Sequence, residues 1–120
     1  GKSKSGNIII SQKMLEMATS NHLDKSFFPL EILSFDNINN TDQENDLESY
    51  GWGLGFRVMQ DLDKVNGIGS IGEFGWAGAA GTFFLVDPKN DLTAVIMTQV
   101  LNANPIMKKD FINTIYKNIL

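Results

Sequence analysis

The stretch Gly72-Glu73-Phe74-Gly75-Trp76-Ala77-Gly78-Ala79-Ala80-Gly81-Thr82 constrains this chain more than any other. It sets a run of small residues after two aromatic ones, inside the strongest strand signals of the sequence. Glycines that interrupt a strand pattern mark a bulge, a bend, or a place where another group approaches the backbone closely. From residue 77 to residue 81 there is no bulky side chain. A strand edge of that kind presents N–H and C=O groups to whatever lies against it. Small residues equally suit a dense sheet-to-helix contact, and glycine spacing alone leaves both readings open.

The flanking segments extend the pattern. Between residues 50 and 60, Trp52, Leu54, Phe56 and Val58 alternate with Gly51, Gly53, Gly55 and Arg57, which predicts one strand with a large apolar face and a nearly bare one. A bare face admits a helix or a second backbone. Asp61-Leu62-Asp63-Lys64-Val65-Asn66-Gly67 reads as a hairpin connection closed by Asn-Gly. It lacks the acid and glycine that a calcium loop needs where Val65 and Asn66 stand. Residues 69–78 read as the return strand, and 82–87 and 92–100 as two more, joined by a turn at Asp87-Pro88-Lys89-Asn90. Phe83 and Leu85 oppose Phe84 and Val86, and Ala94 and Ile96 oppose Val95 and Met97, so both faces of these strands are apolar.

Helices bracket the strands. Ser11 is placed to cap a helix over residues 12–20, with Met14, Leu15 and Ala18 on one face. His22 falls at its end, where a cation near the last carbonyls is the structural explanation. Asn104 and Pro105 open a C-terminal helix whose apolar stripe is Phe111, Ile112, Ile115 and Ile119. Between them, residues 24–49 form a long acidic loop, with Phe27, Phe28, Leu30 and Ile32 pinning its first half. The Asn39-Asn40-Thr41 sequon within it carries no weight. The predicted fold is α+β: an antiparallel meander of about four strands, a C-terminal helix on one face and a short N-terminal helix. Those helices are too few to cover both faces. The expectation is therefore one unit over residues 1–120 that is a segment of something larger, with Gly1-Lys2-Ser3-Lys4-Ser5-Gly6 as a turn entered from upstream.

Charge and composition exclude some chemistry. A net charge of -4 and a pI near 4.8 leave no basic patch for nucleic acid. There is no cysteine, so neither a disulfide nor a thiolate metal site is available. No apolar run is long enough to span a bilayer as a helix. The residues imply no cofactor and leave the compartment unknown.

Taken in order, Tyr50-Gly51-Trp52-Gly53-Leu54-Gly55-Phe56-Arg57-Val58, the stretch 72–82, Val86-Asp87-Pro88-Lys89-Asn90-Asp91-Leu92 and Met97-Thr98-Gln99 resemble the C-terminal part of the serine β-lactamase-like hydrolases. That group includes class C β-lactamases, related esterases and penicillin-binding-protein relatives. The resemblance runs from about Ser11 to Leu120. It implies a partial β-lactamase/transpeptidase-like fold, and in the intact protein hydrolysis of an ester, amide or β-lactam through an acyl-enzyme. The family's nucleophile lies in Ser-x-x-Lys, which does not occur in this chain. Thr114-Ile115-Tyr116-Lys117 and Tyr116-Lys117-Asn118 match family spacings, but on an amphipathic helix they read as chance.

The third family motif is present as Trp76-Ala77-Gly78, the esterase-like form of Lys-Thr/Ser-Gly. The resemblance implies that these three residues border a substrate and that the Ala79 backbone N–H is one of two oxyanion-hole donors, a role typically worth about 3 kcal/mol. With Trp76 in place of the motif lysine, it favours neutral ester or amide substrates over penicillins. The alternative is a non-catalytic relative that works as a binding or assembly module. Partners expected are the missing N-terminal part of the same protein, a small-molecule substrate, and a second copy through the strand from Leu92 to Val100. That strand has none of the features that protect a natural sheet edge.

Overall fold

The computed structural model describes residues 1–27, 49–101 and 105–119. The sequon, most of the acidic loop, Phe28, Leu30, Ile32 and the Asn104 cap lie outside the described residues. In chain order the elements are helix α1 (Gln12–Ala18), a 3-10 turn (Lys25–Phe27), strands β1 (Tyr50–Trp52) and β2 (Arg57–Met59), a second 3-10 turn (Asp63–Val65), strands β3 (Phe74–Ala77), β4 (Phe83–Asp87) and β5 (Leu92–Ile96), and helix α2 (Pro105–Ile119). The strands form one antiparallel sheet in the order β1-β2-β3-β4-β5.

α1 starts where a side chain satisfies one of its free N–H groups: the Met14 N–H donates to Ser11 Oγ at 3.2 Å. It stops at Thr19, whose hydroxyl and N–H both donate to the Leu15 carbonyl, at 2.9 and 3.0 Å. His22 Nε2 then sits 2.6 Å from the Met17 carbonyl oxygen, the placement expected for a histidine at a helix end. The opening Lys2–Gly6 stretch is a turn, closed by Gly6 N–H to Ser3 O at 2.9 Å.

Residues 50–60 do not form one strand. They fold into the hairpin β1–β2, with Trp52 paired to Arg57 and Gly53 to Phe56 bridged by an N–H···O bond of 2.8 Å. The alternation of glycine with large residues conceals this break. Gly55 takes a φ of 93°, a conformation the turn requires and a larger residue resists. The bare side does admit a second backbone, as the spacing predicts. Asn21 packs where a Cβ at Gly51 would stand, and the Ala18 carbonyl occupies the same position at Gly53. The Ala18 oxygen accepts the Leu54 N–H at 2.9 Å, and Asn21 Oδ1 accepts the Trp52 N–H at 2.9 Å. α1 is thereby tied to the first hairpin.

The other strands are shorter than their sequence runs suggest. The return strand begins at Phe74, because Gly69 and Gly72 both adopt positive φ and bend the preceding chain. The last strand ends at Ile96. Beyond it the chain runs on beside the β3–β4 turn, where Thr98 Oγ1 and the Val100 N–H donate to the Ala80 carbonyl at 2.7 and 3.1 Å. Asn66 and Gly67 are left-handed, as an Asn-Gly closure demands.

α2 covers one face of the sheet. Phe83, Leu85, Ala94 and Tyr116 form the buried core, with Ile68, Leu92, Ile96, Phe111, Ile112 and Ile115 packed around it. Side chains alternate across a strand, so Trp76, Phe84 and Val95, which share a register row, lie on the opposite face. There Phe56 packs against Phe74 and Phe84 with centroids 5.3 and 6.1 Å apart, and Trp52 meets Trp76 edge-on at 4.7 Å. Trp76, Phe74, Phe84 and Val86 remain half-exposed on that side, while Val95 is 57% exposed.

Candidate functional site

The small-residue stretch is split between a strand and a turn. Trp76 and Ala77 are the last two residues of β3. Gly78 and Ala79 open the turn into β4, closed by Gly81 N–H to Gly78 O at 3.0 Å and Gly78 N–H to Thr82 O at 2.8 Å. Gly81 carries a φ of 74°, so a glycine is needed at the end of this turn. Ala77, Gly78 and Ala79 are exposed. Gly75 is excluded from carrying a side chain, because the Phe84 carbonyl of the neighbouring strand stands where its Cβ would be. The glycines of this stretch therefore serve two purposes: Gly75 brings β3 and β4 together, and Gly81 turns the chain so that 77–79 form an open rim.

Trp76 rises from that rim on the face opposite α2, with its ring edge-on to Trp52. The four residues Trp76, Ala77, Gly78 and Ala79 are thus brought together at one end of β3. Among the described residues no group of three or more metal-ligating side chains is present.

A second polar cluster lies beneath the sheet, on the α2 side. Glu73, immediately before β3, is 1% exposed, and Asp87, ending β4, is fully buried. The Tyr116 hydroxyl of α2 lies between them, 2.5 Å from Glu73 Oε2 and 2.8 Å from Asp87 Oδ2. Glu73 Oε2 also accepts the Ser70 N–H at 3.1 Å. Asp87 Oδ1 accepts the Lys89 and Asn90 N–H groups at 2.9 and 3.2 Å, and its Oδ2 accepts Asn90 Nδ2 at 2.7 Å. Asn90 Nδ2 also donates to the Ser70 hydroxyl at 2.9 Å. Gly69 leaves the room for this: a Cβ there would meet Glu73 Oε2 at 2.9 Å.

The two carboxyls are pushed in opposite directions. Burial raises Glu73 above its ordinary value, with Asp87 adding to the effect, and this outweighs the hydrogen bonds from Tyr116 and Ser70 and the charge of Arg57. Burial acts on Asp87 too, but the donors Asn90, Ser70 and Tyr116 outweigh it and hold Asp87 below its ordinary value. Burial and the two carboxyls keep the Tyr116 phenol protonated. Arg57 completes the surroundings. It is buried, its guanidinium stacked 4.1 Å from the Tyr50 ring centroid and 4.9 Å from that of Phe83, and Nη2 has no hydrogen-bond partner among the described residues.

The sequence reading of Tyr116 is corrected by this arrangement. Thr114 and Lys117 are exposed, as a solvated helix face requires, but Tyr116 is 5% exposed and bound to both carboxyls. The signal was available in the helical period, since Tyr116 lies four residues after Ile112 on the apolar stripe. Glu73 reads as part of the return strand 69–78 and Asp87 as the start of a turn, and nothing in their neighbours marks them as partners.

The antiparallel sheet with a helix packed on one face defines an α+β domain. The Beta-lactamase family model matches residues 31–116, and the chain belongs to that family. No curated protein matches it.

Proposed function

We propose that this chain is the C-terminal segment, over residues 1–120, of a β-lactamase-like serine hydrolase, and that it supplies the strand carrying one oxyanion-hole donor. The observation that carries this reading is the rim at the end of β3. Ala77, Gly78 and Ala79 are exposed there, beside a Trp76 that takes the place of the motif lysine. An acyl-transfer site needs an N–H group aimed at the oxygen that becomes negative as the tetrahedral intermediate forms. In this reading Ala79, one residue past the motif glycine, gives it. The nucleophile and its lysine would come from the missing N-terminal part of the same protein, because Ser-x-x-Lys does not occur in these 120 residues. The substrate class is a neutral ester or amide, since Trp76 offers a flat apolar wall and one N–H where a fixed cation would pair with a carboxylate.

The test uses proline. Ala79 is the second residue of the turn 78–81, a position that accepts proline readily. In the protein carrying both segments, Ala79→Pro keeps the turn and deletes the donor. Turnover of p-nitrophenyl acetate should fall about 10²- to 10³-fold in kcat, the usual effect of losing one oxyanion donor. The 120-residue chain alone should show no turnover above an albumin control. An Ala79→Pro enzyme with wild-type kcat, or activity in the isolated chain, would overturn the reading.

A further inference from the structure

The Tyr116 hydroxyl has one proton and two carboxyl neighbours within hydrogen-bond distance, at 2.5 and 2.8 Å. If both carboxyls were ionised, the phenol could donate to one of them alone. The other short contact would then set a lone pair against a lone pair, away from water, with no proton between. A second proton is required, and the donors decide where it sits. Asp87 receives two backbone N–H groups and the Asn90 amide besides the phenol, an environment that stabilises a carboxylate. Besides the phenol, Glu73 receives the Ser70 N–H, from the β2–β3 connection, at 3.1 Å. A proton on Glu73 Oε2 lets Glu73 donate to the Tyr116 oxygen and Tyr116 donate to Asp87, so both short contacts carry a hydrogen.

We infer that Glu73 is protonated in the folded chain, and that Glu73, Tyr116 and Asp87 form a one-proton clasp that fastens α2 to the sheet and loosens when that proton is lost to solvent at rising pH. The clasp joins elements far apart in the chain. Glu73 precedes β3, Asp87 ends β4, and Tyr116 lies in the last turns of α2. The charged and titratable groups around it are few. Arg57 of β2 favours ionised Glu73, while Asp87 of β4 opposes it. From α2, Tyr116 faces the carboxyl directly, and Lys108 Nζ stands 5.7 Å from the Phe83 ring centroid. Burial tips the balance towards the neutral acid. Loss of the proton leaves two buried anions flanking one phenol, and the repulsion is relieved when Tyr116 moves out, carrying α2 with it.

The linkage has a definite sign. A group whose folded pKa lies above its unfolded value of 4.5 stabilises fully below that value, and the contribution is lost as pH rises towards the folded pKa. The test is carried out on the full 120-residue chain with its glutamate carboxyls labelled by carbon-13, and Glu73→Gln assigns the Glu73 signal. Glu73 should titrate above the ordinary glutamate value of 4.5. Over the same range the opening equilibrium of α2 amides, corrected for intrinsic exchange, should rise by up to about tenfold per pH unit, the limit for one proton. Glu73→Gln, which keeps a donor to the phenol, should hold α2 closed across that range. The inference is overturned if Glu73 titrates at or below 4.5, or if α2 opening in Glu73→Gln follows the same pH dependence as the wild type. The carboxyl titration is read from the wild-type chain, and through-bond correlation to the Glu73 backbone amide assigns its signal should Glu73→Gln fail to fold.

Discussion

The carbonyl oxygen of Ala18 occupies the position that a Cβ on residue 53 would take. The same oxygen accepts the Leu54 N–H at 2.9 Å, so the end of α1 and the β1–β2 turn share one backbone contact. The blocking atom is backbone, which cannot rotate aside. Gly53→Ala should therefore destabilise the chain by about 1–3 kcal/mol, the usual range for overpacking. Gly67→Ala, where nothing stands within 4 Å but φ is +74°, tests backbone strain alone. Urea denaturation should give Gly53→Ala the lower midpoint. Equal midpoints would show that α1 moves away at little cost.

Asp87 sets the acid limit of stability. Its folded pKa lies below the ordinary 3.8, so its contribution is present above that value and is lost as pH falls through the folded pKa. Asp87→Asn should cost about 1–3 kcal/mol near neutral pH, the range for disturbing a buried hydrogen-bonded group. Its stability should approach that of the wild type as the pH is lowered towards 2. Unfolding curves at a series of acid pH values check both parts. A difference that stays constant on acidification would show that Asp87 is protonated throughout.

The proposed substrate class turns on Trp76. In the protein carrying both segments, Trp76→Lys restores the cation that the motif usually supplies. The ratio of kcat/KM for a penicillin to that for a neutral ester should rise by about tenfold or more, the order of one charge-assisted hydrogen bond. An unchanged ratio would remove Trp76 from the argument about substrate.

Association is expected through the outer strand. β5 is the last strand in the sheet order, and Val95 within it and Met97 just after it are 57% and 77% exposed. An apolar edge without lysine, proline or a bulge invites a second strand. At micromolar concentration the isolated chain should scatter light as a dimer or larger species, and Val95→Lys should shift it towards monomer. A monodisperse wild-type monomer would count against pairing at this edge.

Much of the architecture follows from local pattern. Ser11 starts α1 with its own side chain, and Asn66-Gly67 supplies the left-handed residues of its turn. Phe83 and Leu85 alternate with Phe84 and Val86 as a strand must, and the buried pair faces α2. The stripe of Phe111, Ile112 and Ile115 meets the sheet as its period requires. These features depend on residues within a turn or two of one another, so they are written in neighbouring letters. The Trp76-Ala77-Gly78 rim is legible for the same reason. Its strand end and turn are made by the glycines beside it.

Tertiary structure decided what depends on distant atoms. The break between β1 and β2 needs the Ala18 carbonyl at Gly53 as well as the left-handed Gly55, and the alternating pattern of 50–60 alone reads as one strand. The clasp needs Glu73, Asp87 and Tyr116 in one dry pocket, although the phenol is 43 positions from one carboxyl and 29 from the other. Local sequence assigns each of these residues an ordinary solvated role. Burial reverses that assignment, because an acid removed from water must be paired or protonated, and whether it is removed depends on where α2 lands.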